Sequence, residues 1–376
     1  MATDCSSSPC LVGEPLGNAA VLERPGKPRP HVRHPEPAAP ATGKASGSMV
    51  AEVGAVEIGE PSASRSVAFW RDLIELSKPR IVTMILVTTL ASAWIAASTS
   101  PQGVSLAALQ WLGLLLGTAL VAGSAGAANQ VWERRIDRLM PRTASRPIPA
   151  GRVGTVIGVL ATAVSGLTGV ALLGWMFSTA ESTAAEVLTG PAGVAAATWL
   201  VYVLVYTPMK TRTAWNTTVG AIAGALPIFI GYRAAGGQWG ELGGWMTFGI
   251  LAAWQYPHFM AIAWLYRRQY AEAGFKMTTT VDPSGRQAAW QSILGALGLI
   301  ACGLVLCVAP ASVPVWSAAS VLTSVLVIAA GWPMVAAGWR FASSPTDQTA
   351  RRMLRWSLVV LPVVLLVVTF RVVLSV

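Results

Sequence analysis

The sequence predicts an all-α fold, a polytopic membrane bundle of about nine transmembrane helices. Three observations carry that prediction. Apolar residues make up 53% of the 376 and charged residues only 12%, a balance more apolar than that of soluble globular chains. The apolar residues fall in nine blocks, at roughly 81–99, 106–129, 153–178, 188–206, 215–232, 243–266, 289–309, 314–339 and 356–375, each long enough to cross or nearly cross a bilayer as a helix. The cations lie between these blocks, where they set topology. The net charge of +10 is therefore no sign of a nucleic-acid partner. Four cysteines are too few for a disulfide framework: Cys5 and Cys10 sit near the start, and Cys302 and Cys307 read as packing residues within an apolar run.

Residues 1–65 are rich in Pro, Ala, Ser and Gly without an apolar period, and are expected to be a disordered cytoplasmic tail. They contain no apolar h-region, and Asp4, Glu14, Glu23, Glu36 and Glu52 argue against an acid-poor transit peptide. In this Pro-rich setting His31 and His34 read as idle rather than metal-binding. Phe69 to Leu76 reads as a short amphipathic helix that turns Phe69, Trp70, Leu73, Ile74 and Leu76 toward lipid. Ser77-Lys78-Pro79-Arg80 then precedes the first span.

Lys78 and Arg80 open a one-sided series of cations. It continues through Arg134, Arg135, Arg138, Arg142, Arg146 and Arg152, then Lys210 and Arg212. Arg267, Arg268, Lys276, Arg286, Arg340, Arg351, Arg352 and Arg355 complete it. The loops on the other side hold Arg233 with Glu181, Glu186 and Glu241. The positive-inside rule then puts the tail and the even-numbered loops in the cytoplasm.

The second apolar run carries no charge from Leu106 to Ala128 and ends in Asn129, Glu133 and Asp137. Their i, i+4, i+8 spacing keeps them within roughly an 80° arc of one helical face. Like charges at i and i+4 cost an isolated helix about 0.2–0.5 kcal/mol, so a cation between them is favoured. Hard oxygen ligands suit magnesium, and the flanking arginines suit phosphate. Two readings stay open on spacing alone: a magnesium-diphosphate site, or a topology loop whose acids pair with its own arginines, as Arg134 could with Asp137 at i, i+3.

Tyr206, Thr207, Lys210, Arg212, Thr213 and Asn216 crowd the end of the fourth run, where Lys210 and Arg212 serve either diphosphate or topology. In the fifth run Gly220 and Gly224 permit close helix contact. The sixth holds Pro257-His258-Phe259. A histidine in an apolar helix needs a partner, and the backbone carbonyl freed by Pro257 is one candidate; structural hydrogen bonding and a ligand role both remain open for His258.

The string Asn129-Gln130-x-x-Glu133-x3-Asp137-x2-Met140-x-Arg142-Thr143-x2-Arg146-Pro147 resembles the first signature of the haem O synthases (protohaem IX farnesyltransferases), a branch of the UbiA-type intramembrane prenyltransferases. Glu133, where many members have Asp, is similar to the eukaryotic-type members. The Ser77–Ile81 entry, the Tyr206–Asn216 stretch and Pro257-His258-Phe259 also look like that family, over roughly residues 69–300. The last three spans fit only by hydropathy.

The resemblance implies an intramembrane prenyltransferase domain over 66–376, with a central cavity open near the cytoplasmic face. It implies farnesyl transfer from farnesyl diphosphate to a vinyl carbon of haem B, with Mg2+ as cofactor, in the bacterial inner membrane or a mitochondrial inner membrane, upstream of a haem A synthase. Carried over residue by residue, Asn129, Glu133 and Asp137 would be metal ligands, joined by Arg142, Arg146, Lys210 and Tyr270 in catalysis. His258, Lys210, Arg212, Tyr206, Gln269 and Arg267 would bind substrate, with His258 on the tetrapyrrole through iron or a propionate. Trp132, Tyr206, Trp254, Tyr256 and Tyr270 are candidates for an aromatic wall around an allylic cation.

Gln269 departs from the pattern, because the family carries an aspartate there that joins a second metal site. Glu272 and Asp282 are the available substitutes. Competing readings are a prenyltransferase of a quinone precursor or chlorophyllide, a transporter, and a haem-binding membrane protein with altered catalysis.

Overall fold

The computed structural model describes residues 62–308 and 316–373, whose regular structure is entirely helical. The tail expected over 1–65, with Cys5, Cys10, His31 and His34, lies outside the described residues up to position 61. Helix α1 (Ser62–Leu76) exposes Phe69, Trp70 and Ile74, as its pattern predicts. Leu76 differs: it is buried with Ala127, Ile148 and Val153, and Leu73 packs against the same cluster. The last turn of α1 docks on the following span, where Gln130 Nε2 donates to the Leu76 carbonyl, and Arg152 pairs with both Asp72 and Glu75.

Spans one to three are α2 (Pro79–Thr99), α3 (Ala108–Asp137) and α4 (Thr155–Phe177). After the short α5 (Ala184–Thr189), α6 (Pro191–Leu200) widens into a π-helix (Val201–Tyr206) and continues as α7 (Thr207–Met209). The fifth run is broken at Leu226 into α8 (Asn216–Ala225) and α9 (Pro227–Ala234), since Pro227 has no N–H to continue the ladder. Then follow α10 (Leu242–Leu265), α11 (Arg267–Glu272), α12 (Thr278–Val281), α13 (Arg286–Val308), α14 (Ala318–Ser343) and α15 (Asp347–Val373).

Seven helical stretches among the described residues are long and apolar enough to cross a membrane. The other two of the nine expected runs are helical as well. One is the broken pair α8 and α9; the other is α10, whose Gln255, Tyr256 and His258 lower its hydropathy. This is a multi-pass membrane protein.

The spans close into a ring in which α2, α3, α4, α6, the α8–α9 pair, α10, α13, α14 and α15 follow one another and α15 returns to α2, with α2 also packed on α9 and α15 on α10. Polar side chains join neighbours inside it, as expected where lipid offers no hydrogen bonds. Ser124 Oγ donates to the Thr162 carbonyl of α4 and accepts from Trp199 Nε1 of α6. Gln255 Nε2 donates to Ala221 O of α8, and the helices come so close there that a Cβ on Gly224 would collide with the Gln255 amide. Cys302 and Cys307 both sit within the packing of α13.

Candidate active site

A cavity of about 590 Å³ opens within the ring, mostly apolar, with its charged groups gathered where α3 ends. Asn129, Glu133 and Asp137 all line it, so the one-face spacing on α3 is realised, and all three are buried. Each is met by one cation. Lys78 Nζ donates to Asn129 Oδ1, Lys210 Nζ to Glu133 Oε1, and Arg146 Nη1 to Asp137 Oδ2, every contact at 2.8 Å. The other Asp137 oxygen, Oδ1, is buried without a partner among the described residues. A carbonyl and two carboxylates on one face, one carboxylate oxygen of them orphaned, fit a hard cation.

The partner of Asp137 is another arginine of the same loop and not the i, i+3 one that the spacing suggests. Arg134 turns back to the Val131 carbonyl, and the partner of Asp137 is Arg146, nine residues on. The intervening turns are fixed by Thr143 Oγ1 donating to Asp137 O and by Arg138 Nε donating to Pro149 O. Arg142 lies with its guanidinium 4.6 Å from the Tyr266 ring centre and donates to Tyr270 Oη at 3.1 Å. Lys78 has a left-handed backbone (φ +54°), beside a proline that disfavours the right-handed helical region for it. Burial pushes its ammonium down to about 7, and the neighbouring Arg146 and Lys210 charges add to the effect. Burial also disfavours the Lys210 charge, but the Glu133 carboxylate outweighs it and holds that ammonium above the usual lysine range. Four cations thus gather near two acids, an excess that suits an anionic ligand.

Of the remaining sequence candidates, Tyr206, Tyr270, Trp254 and His258 line the cavity. Several do not. Arg212 is exposed, and Arg267 pairs with Asp347 at 2.8 Å while lying over Trp264. Glu272 is exposed, and Gln269 does not line the cavity, its Oε1 being buried without a partner among the described residues; of α11, which follows a break at Tyr266, only Tyr270 reaches the cavity wall. Asp282 is spent on Ser284 and the Gln287 N–H at the start of α13. Trp132 is exposed, and Tyr256 instead meets Thr218 Oγ1.

Three residues escaped the sequence reading. Lys78 reads there as a topology signal. Tyr202 reaches the wall through the π-helix, and its ring centre lies 5.2 Å from that of Tyr206. Pro208, which has no N–H to give to the helical ladder, was the available signal for an irregular turn just ahead of it. Ser357, on α15, is the partner His258 finds in place of the carbonyl expected near Pro257: His258 Nδ1 and Ser357 Oγ are 2.9 Å apart.

A sequence profile described as the UbiA prenyltransferase family matches residues 85–359. The chain belongs to the UbiA prenyltransferase family. That match extends past residue 300, so the seventh and eighth spans share the family sequence as well as its hydropathy. The chain is 64% identical over 299 residues to a protoheme IX farnesyltransferase of Rhodopirellula baltica, covering 80% of this chain and 99% of the relative. It is 39% identical to one of Salinibacter ruber (77% of this chain, 95% of the relative) and 34% identical to the mitochondrial one of Arabidopsis thaliana (77% and 62%).

Solved UbiA-type folds superpose on it at low identity. A digeranylgeranylglyceryl phosphate synthase aligns with TM-score 0.61 at 12% identity, over 81% of this chain and 99% of its own. A UbiA homolog from Archaeoglobus fulgidus bound to DMAPP and Mg2+ aligns with TM-score 0.53 at 14% identity, over 77% and 99%. These likenesses speak to the fold. As a UbiA prenyltransferase, the protein is an enzyme.

Proposed function

We propose that this UbiA prenyltransferase transfers a farnesyl group from farnesyl diphosphate to a vinyl side chain of protohaem IX, using the domain at 66–376. The observation that carries the reading is the joining, in one mostly apolar cavity, of an acid-and-cation cluster at one end with His258 on the wall. The first suits a diphosphate, the second a tetrapyrrole, and the apolar lining between them suits an isoprenoid tail. The sequence identity to protoheme IX farnesyltransferases supports haem B as the acceptor.

In this reading Asn129, Glu133 and Asp137 would hold Mg2+; the Mg2+ bound with DMAPP by the A. fulgidus homolog supports the choice of ion. A bound Mg2+ supplies neutralisation of charge on the diphosphate. Lys78, Lys210, Arg142 and Arg146 direct N–H donors at the diphosphate oxygens as the C1–O bond breaks. Tyr202, Tyr206, Trp254 and Tyr270, which line the cavity, would supply an aromatic wall for the allylic cation and keep bulk water away. A new bond joins farnesyl C1 to the terminal vinyl carbon; the inner vinyl carbon takes hydroxide from water, whose proton is released. The product carries a hydroxyethylfarnesyl side chain.

No second metal site on Gln269 or Glu272 belongs to this proposal. The one-sided cations support a cytoplasmic position for the charged end of the cavity; in this reading the membrane is a bacterial inner membrane and a haem A synthase would be the next user of the product.

Membranes containing the full chain, incubated with haem B and labelled farnesyl diphosphate, are expected to yield a labelled hydroxyethylfarnesyl haem. Label recovered on a quinone precursor, with none on haem, would reassign the acceptor.

A further inference from the structure

His258 has its hydrogen atoms arranged for it by a residue 99 positions away. Ser357 is fully buried in α15, and its hydroxyl lies 2.7 Å from the Leu354 carbonyl, to which it donates. A serine has one hydroxyl hydrogen, and a carbonyl can only accept. The contact between Ser357 Oγ and His258 Nδ1 must therefore run the other way, with Nδ1–H as donor. The ring is further fixed by Trp254, which stacks on it with centres 4.6 Å apart and donates its own Nε1–H to the Ser357 carbonyl. His258 Nε2 makes no hydrogen bond among the described residues and is not closed off, while the residue lines the cavity.

From this we infer that Ser357 is a positioning residue that sets His258 in its Nδ1–H tautomer, so that the Nε2 lone pair is held ready as an axial ligand for the haem iron. The inference rests on haem B as the acceptor. It also settles how His258 meets the tetrapyrrole. A propionate is an acceptor and would need a donor, whereas a neutral imidazole with Nδ1–H already committed presents a lone pair at Nε2. Iron takes that lone pair, and a ligating histidine characteristically donates its other N–H to a fixed oxygen. Ser357 Oγ is that oxygen.

The test uses the full chain in lipid nanodiscs, with ferric haem B and iron-free protoporphyrin IX as probes. The wild-type chain is expected to bind haem B with the absorption and EPR signature of axial imidazole, and His258→Ala to lose that signature until imidazole is added. Ser357→Ala should weaken haem binding by about tenfold or more, Ser357→Thr should restore it, and farnesyl diphosphate binding should stay unchanged in both. Iron-free protoporphyrin, which retains both propionates, should bind weakly and equally to all.

Wild-type ligation and affinity in Ser357→Ala would overturn the positioning role and leave the acceptor in place. Iron-free protoporphyrin binding as tightly as haem would overturn the iron contact. A wild-type chain that takes up no haem would remove the acceptor itself, and this inference with it.

Discussion

The ammonium of Lys210 lies 2.8 Å from Glu133 Oε1, joining the loop after α7 to the face of α3 across 77 residues of chain. Both side chains are largely withdrawn from solvent, so each depends on the other for neutralisation. Removing one partner of such a pair costs about 3–5 kcal/mol, because the other charge is left uncompensated. Lys210→Ala is expected to lower thermal stability in detergent and raise the KM for farnesyl diphosphate. Adding Glu133→Gln should recover the stability but not the activity; recovery of both would separate the pair from catalysis.

Asp137 offers one oxygen to Arg146 and keeps the other unpartnered. Asp137→Asn preserves the shape and removes the charge. The variant should insert normally in membranes and lose on the order of 10²–10³ in kcat, the scale of losing one preorganised electrostatic group. Full production of the prenylated haem would exclude Asp137 from the metal site.

Chelation distinguishes the two ends of the cavity. EDTA should stop turnover and weaken farnesyl diphosphate binding, with Mg2+ restoring both, while haem binding monitored by absorption stays unchanged. Loss of haem binding on chelation would place the divalent ion elsewhere.

Arg142 spans Tyr266 and Tyr270, which connects the loop after α3 to the start of α11. Because a lysine cannot reproduce a planar fork lying on a ring, Arg142→Lys should retain little more activity than Arg142→Ala. Both should fall roughly tenfold in kcat/KM for farnesyl diphosphate, the scale of about 1.4 kcal/mol. Near-wild-type activity of the lysine variant would show that charge alone suffices there.

Glu272 stands exposed on α11, off the cavity. Glu272→Gln is accordingly expected to turn over within about twofold of the wild type, since surface substitutions away from such features change little. A loss comparable to that of Asp137→Asn in the same assay would restore Glu272 as a metal ligand.

The helical spans and the acidic face of α3 were legible in the sequence because both depend on local periodicity. Asn129, Glu133 and Asp137 share a face through the pitch of one helix, whatever surrounds it. The partners were harder to read. Arg146 instead of Arg134 reaches Asp137 only because the chain turns back between Met140 and Pro149, and Ser357 meets His258 through the packing of α15 on α10. Leu76 looks lipid-facing from its own helix, yet the docking of α1 on α3 buries it. Gln269 and Glu272 share α11 with Tyr270, but the break at Tyr266 sets which side of that short helix meets the cavity, and local periodicity does not carry that.

The π-helix at Val201–Tyr206 has a consequence for how this chain can vary. Each residue of an α-helix advances its successors by about 100°, and a π-turn absorbs one residue more than an α-turn for nearly the same rotation. A single deletion that tightened this turn to α geometry would therefore leave Lys210 facing Glu133, whereas the same deletion with the wide turn kept would swing the lysine away although neither residue had changed. The wide turn is the place between Val201 and Lys210 where the chain can lose a residue without moving the donor.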